Sequence, residues 1–185
     1  MASRRGCLDL SIMRRRPPPT RICYCYGEFQ PMFNNYPRVN FYEGLAELSH
    51  EVFHEREPTL MIVGDLMLKS NKLAANIFTK ISHYCNISLL YFTENVFYKN
   101  KYNRTISLNA HYLAFIKDPR DGTEFTTLSR QMYPNSYKFG VEAYEVGASV
   151  PYDYLLVDLK SDQDERCRLR TNIFPSEAQY AYVKK

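Results

Sequence analysis

Two apolar stretches end in side chains able to hold a cation or aim a water molecule. Thr59-Leu60-Met61-Ile62-Val63-Gly64-Asp65 delivers a carboxylate. Leu89-Leu90-Tyr91-Phe92-Thr93-Glu94-Asn95 delivers a hydroxyl, a carboxylate and an amide. A carboxylate at Asp65 suits Mg²⁺, a hard cation that prefers oxygen ligands, or a water to be activated. A hydroxyl or amide on the next tip suits a group that senses a terminal phosphate. Such chemistry also needs a cradle of the form G-x-x-x-x-G-K-[ST], whose amides and lysine wrap the phosphates. The seven glycines are Gly6, Gly27, Gly44, Gly64, Gly122, Gly140 and Gly147, and none precedes a lysine. Taken alone, an aspartate at a strand tip is more often a turn residue than a metal ligand.

Other chemistries find less support. His50-Glu51-Val52-Phe53-His54 has the H-E-x-x-H form of a zinc protease helix. The helical pattern there is weak, Pro58 follows closely and no third ligand stands out, so two solvent-facing histidines account for it better than catalytic zinc. Cys23 and Cys25 share a strand face but lack the two further ligands a structural zinc needs. Five cysteines, scattered and odd in number, read as buried free thiols rather than a disulfide framework. No G-x-S-x-G elbow offers a serine nucleophile. Asn86-Ile87-Ser88 and Asn103-Arg104-Thr105 match the glycosylation sequon, which an intracellular chain leaves unused.

The elements that must position these tips alternate between strand and helix. Ile22–Tyr26 reads as a strand stopped by Gly27, and Val39–Glu43 as one stopped by Gly44. Leu45–His54 reads weakly as a helix. Thr59–Val63 is a continuous apolar run, the mark of a strand covered on both faces. Leu73, Ile77, Ile81 and Tyr84 recur at near-helical spacing, which predicts an amphipathic helix from about Ser70 to Tyr84. With the strand Ile87–Phe92 this makes a βαβ unit, and hence a parallel pair. Ala110–Lys117 is a further strand. Asp118–Gly122 is a turn built on Pro119 and Gly122. Helices follow over about Thr123–Met132 and Ser136–Val146, the second with Asn135 as cap. Tyr154–Leu159 is a late strand and Leu169–Phe174 an edge strand. This alternation predicts a three-layer α/β fold with a mostly parallel sheet, and ligands at the carboxyl ends of its strands.

Length suits one domain. Residues 1–19 read as a disordered basic leader, since Arg14-Arg15-Arg16-Pro17-Pro18-Pro19 enters neither a helix nor a central strand. The domain is then 20–185. Of the formal net charge of +4, residues 1–21 supply +5 from six arginines and Asp9, which leaves −1 on the remainder. Such a leader suits DNA or an import receptor, although solvated tails of this kind are commoner. No apolar run reaches the roughly 18 residues of a membrane span and no signal core follows the amino terminus. The expected setting is the cytosol or nucleus, with no membrane partner.

Tyr24–Gln30, Phe41–Leu45, Thr59–Met67, Phe78–His83, Asn86–Ser88, Arg104–Tyr112, Lys117–Asp121, Arg130–Pro134, Tyr154–Lys160 and Leu169–Pro175 together resemble the packaging ATPases of Polinton/Maverick elements and adintovirus-like viruses. The resemblance runs in order over roughly residues 19–185. It implies a HerA/FtsK-type P-loop ATPase that pumps double-stranded DNA as a ring. In that family a Walker A loop precedes the strand matching Ile22–Tyr26; here the proline-rich leader stands in its place, as if the amino-terminal strand, loop and helix were truncated. The two Walker B acids align with Gly64 and Asp65, so Asp65 remains as catalytic and metal-binding candidate while the expected Mg²⁺ ligand is missing. The sensor position, normally glutamine, carries Glu94 between Thr93 and Asn95. Arg104 matches an arginine that reaches a neighbouring subunit's nucleotide, with a surface salt bridge as an equal alternative. The resemblance therefore implies a transposon-derived, catalytically inactive remnant that binds no cofactor alone. The alternatives are an ATPase completed in trans or by an upstream segment, which would take Mg-ATP, and a protein- or DNA-binding module that keeps the subunit interface, with copies of itself or related ATPase subunits as partners.

Overall fold

Four short apolar runs pair in parallel and organise residues 16–109. The computed structural model describes residues 2–6, 18–45, 57–64, 71–81, 84–93, 95, 101–118, 122–174 and 176–184. The chain divides into two units, Arg16–Asn109 and Met1–Arg15 with Ala110–Lys185, where the sequence reads as one domain over 20–185.

In the first unit, β2 (Arg21–Tyr26), β3 (Val39–Glu43), β4 (Thr59–Val63) and β5 (Ile87–Tyr91) form a parallel sheet of order β3-β2-β4-β5. The βαβ pattern predicts β4 and β5 parallel and neighbours or near-neighbours; they are adjacent. One face is buried: Cys23, Cys25, Met61, Val63 and Ile87 lie under α1 (Asn71–Asn76), its π-helical continuation Ile77–Ile81 and α2 (Lys101–Asn109). The opposite face carries Ile22, Tyr24, Leu60 and Ile62, each half-buried, with Leu90 exposed. There, Phe33 of the 3₁₀ turn Pro31–Asn35 stacks on Phe41 at 4.6 Å. The helix expected over about 70–84 is thus shorter and changes pitch; in its π-helical part Thr79 Oγ1 donates to the Ala75 carbonyl at 2.8 Å. The helix expected over Leu45–His54 falls mostly outside the described residues.

The second unit is antiparallel throughout, which corrects the expectation of a mostly parallel sheet for the whole chain. Its order is β1-β9-β8-β7-β6, from β1 (Ala2–Gly6), β6 (Tyr112–Ile116), β7 (Tyr154–Asp158), β8 (Leu169–Thr171) and β9 (Tyr180–Lys184). Two further expectations change. Residues 2–6, assigned to the disordered leader, pair with β9, because a strand edge accepts any backbone that offers its amides. β8 lies between β7 and β9 rather than at an edge, and its three residues are all buried.

Helices α3 (Thr123–Met132) and α4 (Tyr137–Gly147) pack together through a glycine contact: a Cβ on Gly140 would stand 2.2 Å from Ser129 Oγ. That hydroxyl donates to the Tyr137 carbonyl at 2.7 Å. Ser136, not Asn135, is the residue before α4, and it makes no side-chain cap bond. Gly147 sets α4 on the sheet, facing Thr171, Leu155 and Tyr182. Among the described residues no helix is long and apolar enough to cross a membrane.

Candidate functional site

The strand order of the first unit places a crevice where chemistry would sit. From β2 the chain moves to β3 on one side, then to β4 on the other. Ligands of open parallel sheets gather at such a reversal, outside the carboxyl ends of the strands. Here those ends are Tyr26 and Gly27 on β2, Val63 and Gly64 on β4, and Tyr91 to Thr93 after β5. Backbone bonds hold them side by side: Gly64 N–H donates to the Cys25 carbonyl at 3.1 Å and Phe92 N–H to the Val63 carbonyl at 2.9 Å.

Tyr24 stands at this reversal, against Gly64. It pairs in register with Ile62, two residues before Gly64, so its ring leans along the same face toward the glycine. A Cβ on Gly64 would stand 2.8 Å from the Tyr24 hydroxyl and 3.4 Å from its ring carbon Cζ. The Tyr24 ring is in turn wedged against Phe33 at 5.4 Å and Phe41 at 5.7 Å. Glycine at 64 is therefore the partner of an aromatic side chain on the neighbouring strand, a known way to cover a strand glycine.

The second tip is ordered by polar contacts. Thr93 Oγ1 and the Asn95 backbone exchange bonds, the hydroxyl donating to Asn95 O at 3.2 Å and accepting from Asn95 N at 3.3 Å. Asn103 Nδ2, from buried Asn103 on α2, also reaches Asn95 O at 3.5 Å. Of the sequence candidates, Asn95 and Arg104 are thus brought toward one end, because Arg104 follows Asn103 on α2; its side chain is exposed. Asp65 and Glu94 lie outside the described residues, as do His50 and His54. Their described neighbours Gly64, Thr93 and Asn95 stand at the ends of paired strands.

Beneath the crevice the environment is dry. Burial, aided by the neighbouring Cys23, raises the Cys25 thiol to about 12. Burial also raises the Tyr91 phenol, whose ring meets Phe78 edge-on at 6.1 Å. Neither group is a nucleophile at neutral pH. Among the described residues no group of three or more His, Cys, Asp or Glu side chains is arranged to hold a metal ion. Gly64 offers no side-chain oxygen, and the Tyr24 phenol stands directly against it.

The sequence reading missed two features. One is the tyrosine over Gly64; its signal was an aromatic on one strand set two residues back in register from a glycine on the next. The other is the buried charge pair of the second unit. Arg170 donates to Asp158 Oδ2 at 2.6 Å, and both side chains are almost wholly buried. Asp158 Oδ1 accepts from the Lys160 amide at 3.2 Å. Arg168 ties down the loop between them, donating to the carbonyls of Asp158 at 2.8 Å and Lys160 at 3.3 Å and pairing with Glu165. Its signal was an apolar run ending in Asp158 and followed by arginines at alternate positions. These contacts hold a loop; with both carboxylate oxygens engaged, Asp158 is structural.

Comparison with protein-family models, with curated proteins and with solved structures finds no match to this chain.

Proposed function

We propose that this chain is a non-hydrolysing scaffold of the DNA-packaging-ATPase type, a remnant that keeps the parallel core and has lost the means to hold a triphosphate. The observation that carries this reading is Tyr24 against Gly64. A carboxylate at that position would need the space the phenol occupies, so the site has been repacked rather than left with a single acid missing. Two features add support. None of the seven glycines of the sequence precedes a lysine, so no stretch of it has the G-x-x-x-x-G-K-[ST] form. The order β2-β4-β5 sets the Gly64 and Thr93 tips on neighbouring strands, which lets groups at the two tips converge.

Thermal unfolding with and without Mg-ATP tests the reading. No shift is expected, because binding to the native state alone stabilises by mass action only where a site exists. A saturable rise in melting temperature, lost in Asp65→Ala, would overturn it. Turnover that appears when a related subunit supplies a lysine-bearing loop would establish an ATPase completed in trans instead.

A further inference from the structure

The loop between α4 and β7 uses a residue that folding does not favour. Asp153 N–H donates to the Val150 carbonyl at 3.1 Å, closing a four-residue turn with Pro151 second and Tyr152 third. Tyr152 has φ +68°. Turns of this form want glycine or asparagine third, because a Cβ is strained at positive φ. Tyrosine is a poor choice unless its ring contributes elsewhere, yet the side chain is 95% exposed. The ring adds nothing to the core and the backbone carries the strain. Such a residue points to recognition rather than stability.

Its surroundings specify a ligand. Phe174 leaves β8 at the same end of the sheet; it is 56% exposed, and its ring meets Tyr154 edge-on at 6.3 Å. Glu177 Oε2 accepts from the Phe174 amide at 3.3 Å. Asp153 and Glu177 both act electrostatically on the Tyr154 phenol, so two carboxylates flank the ring pair. Neither carboxylate has a cationic partner among the described residues. Exposed rings beside unneutralised carboxylates suit a guanidinium, which stacks on one and pairs with the other. Aromatic surfaces also receive proline-rich extended segments. The chain itself carries such a ligand, Arg14-Arg15-Arg16-Pro17-Pro18-Pro19, within residues 1–21, which hold +5 against −1 for the remainder.

We propose that the Tyr152–Phe174 surface, flanked by Asp153 and Glu177, receives the Arg14–Pro19 segment of a second copy of this chain. The contact is heterologous: the leader of one copy meets the loop surface of the next. It does not close on itself as a two-fold dimer would.

Sedimentation of the full chain over a concentration series at low salt tests this. The mass grows past a dimer with concentration and falls as salt screens the arginines. Arg14→Glu/Arg15→Glu/Arg16→Glu and Tyr152→Gly each weaken association about tenfold or more. Tyr152→Gly leaves the melting temperature unchanged or raised, whereas a structural role would lower it. Mixing the two variants, each with one intact half, restores a complex that stops at one copy of each. A chain that stays monomeric throughout, association that survives both variants, or a mixture that fails to pair would overturn the proposal.

Discussion

Replacing Gly64 measures how far Tyr24 has taken over the crevice. In Gly64→Ala the new Cβ meets the Tyr24 hydroxyl at 2.8 Å, well inside ordinary contact. The ring must yield by some tenths of an ångström, and Phe33 and Phe41 stand against it. Overpacking of this kind costs about 1–3 kcal/mol. The contact is to the far end of a side chain, so the lower part of that range applies. Gly64 is not at positive φ, so losing a glycine returns about 0.4–1 kcal/mol through the unfolded chain. The net expectation is a loss of about 0.5 kcal/mol, or about 1–2 °C in melting temperature. Tyr24→Phe removes the nearest atom and leaves the ring carbon at 3.4 Å. In that background Gly64→Ala is neutral or stabilising. Urea unfolding of the wild type, both single variants and the double variant gives the coupling energy, expected at about 1 kcal/mol in favour of the double variant. Additive effects, within a few tenths of a kcal/mol, would show that Tyr24 does not constrain position 64 and that the site is not repacked around it.

Three further perturbations follow from the same geometry. Stability falls as pH rises above about 9: the unfolded Cys25 thiol ionises there while the folded one holds its proton to about 12. The contribution is complete below pH 9 and is lost through the alkaline window; Cys25→Ala reduces that slope in pH-dependent urea unfolding. Arg170→Met strands the Asp158 carboxylate in the interior and destabilises by about 3–5 kcal/mol. Adding Asp158→Leu recovers much of that loss in calorimetry if the pair is as isolated from water as its burial indicates. Gly140→Ala drives a methyl into Ser129 Oγ and costs about 1–3 kcal/mol, and Ser129→Gly in the same chain reverses most of it; no reversal would place the cost elsewhere.

Much of the local structure was legible in residue pattern. Thr59–Val63 and Ile87–Tyr91 are strands because their apolar runs are too short for helices and are bounded by turn residues. α3 and α4 follow from spacing and from Pro134 between them. α2 was not legible. Lys101-Tyr102-Asn103-Arg104-Thr105-Ile106-Ser107-Leu108-Asn109 is rich in residues whose side chains compete for the backbone. It is helical because Ile106 joins the core; Thr105 Oγ1 and Asn109 Nδ2 turn back to carbonyls four residues earlier, at 2.8 Å each, rather than competing from outside the helix. β9 was also missed; it is a strand through its pairing with β8 on one side and with the distant β1 on the other.

The sequence by itself shows that none of its glycines precedes a lysine, because a G-x-x-x-x-G-K-[ST] cradle is a matter of consecutive residue types. It also indicated that the strands before Asp65 and Asn95 would be parallel and neighbours or near-neighbours, since strand–helix–strand implies a crossover; the pairing of β4 with β5 shows them adjacent. Only the tertiary structure decided that Tyr24 lies over Gly64, that Asp158 meets Arg170 twelve residues on, and that Tyr152 stands in solvent on a strained turn. Each of these depends on register or on which strand lies beside which. A pattern of residue types fixes the period of a strand, but its neighbour's side chains are chosen by pairing across the sheet, and that is settled only when the whole chain has folded.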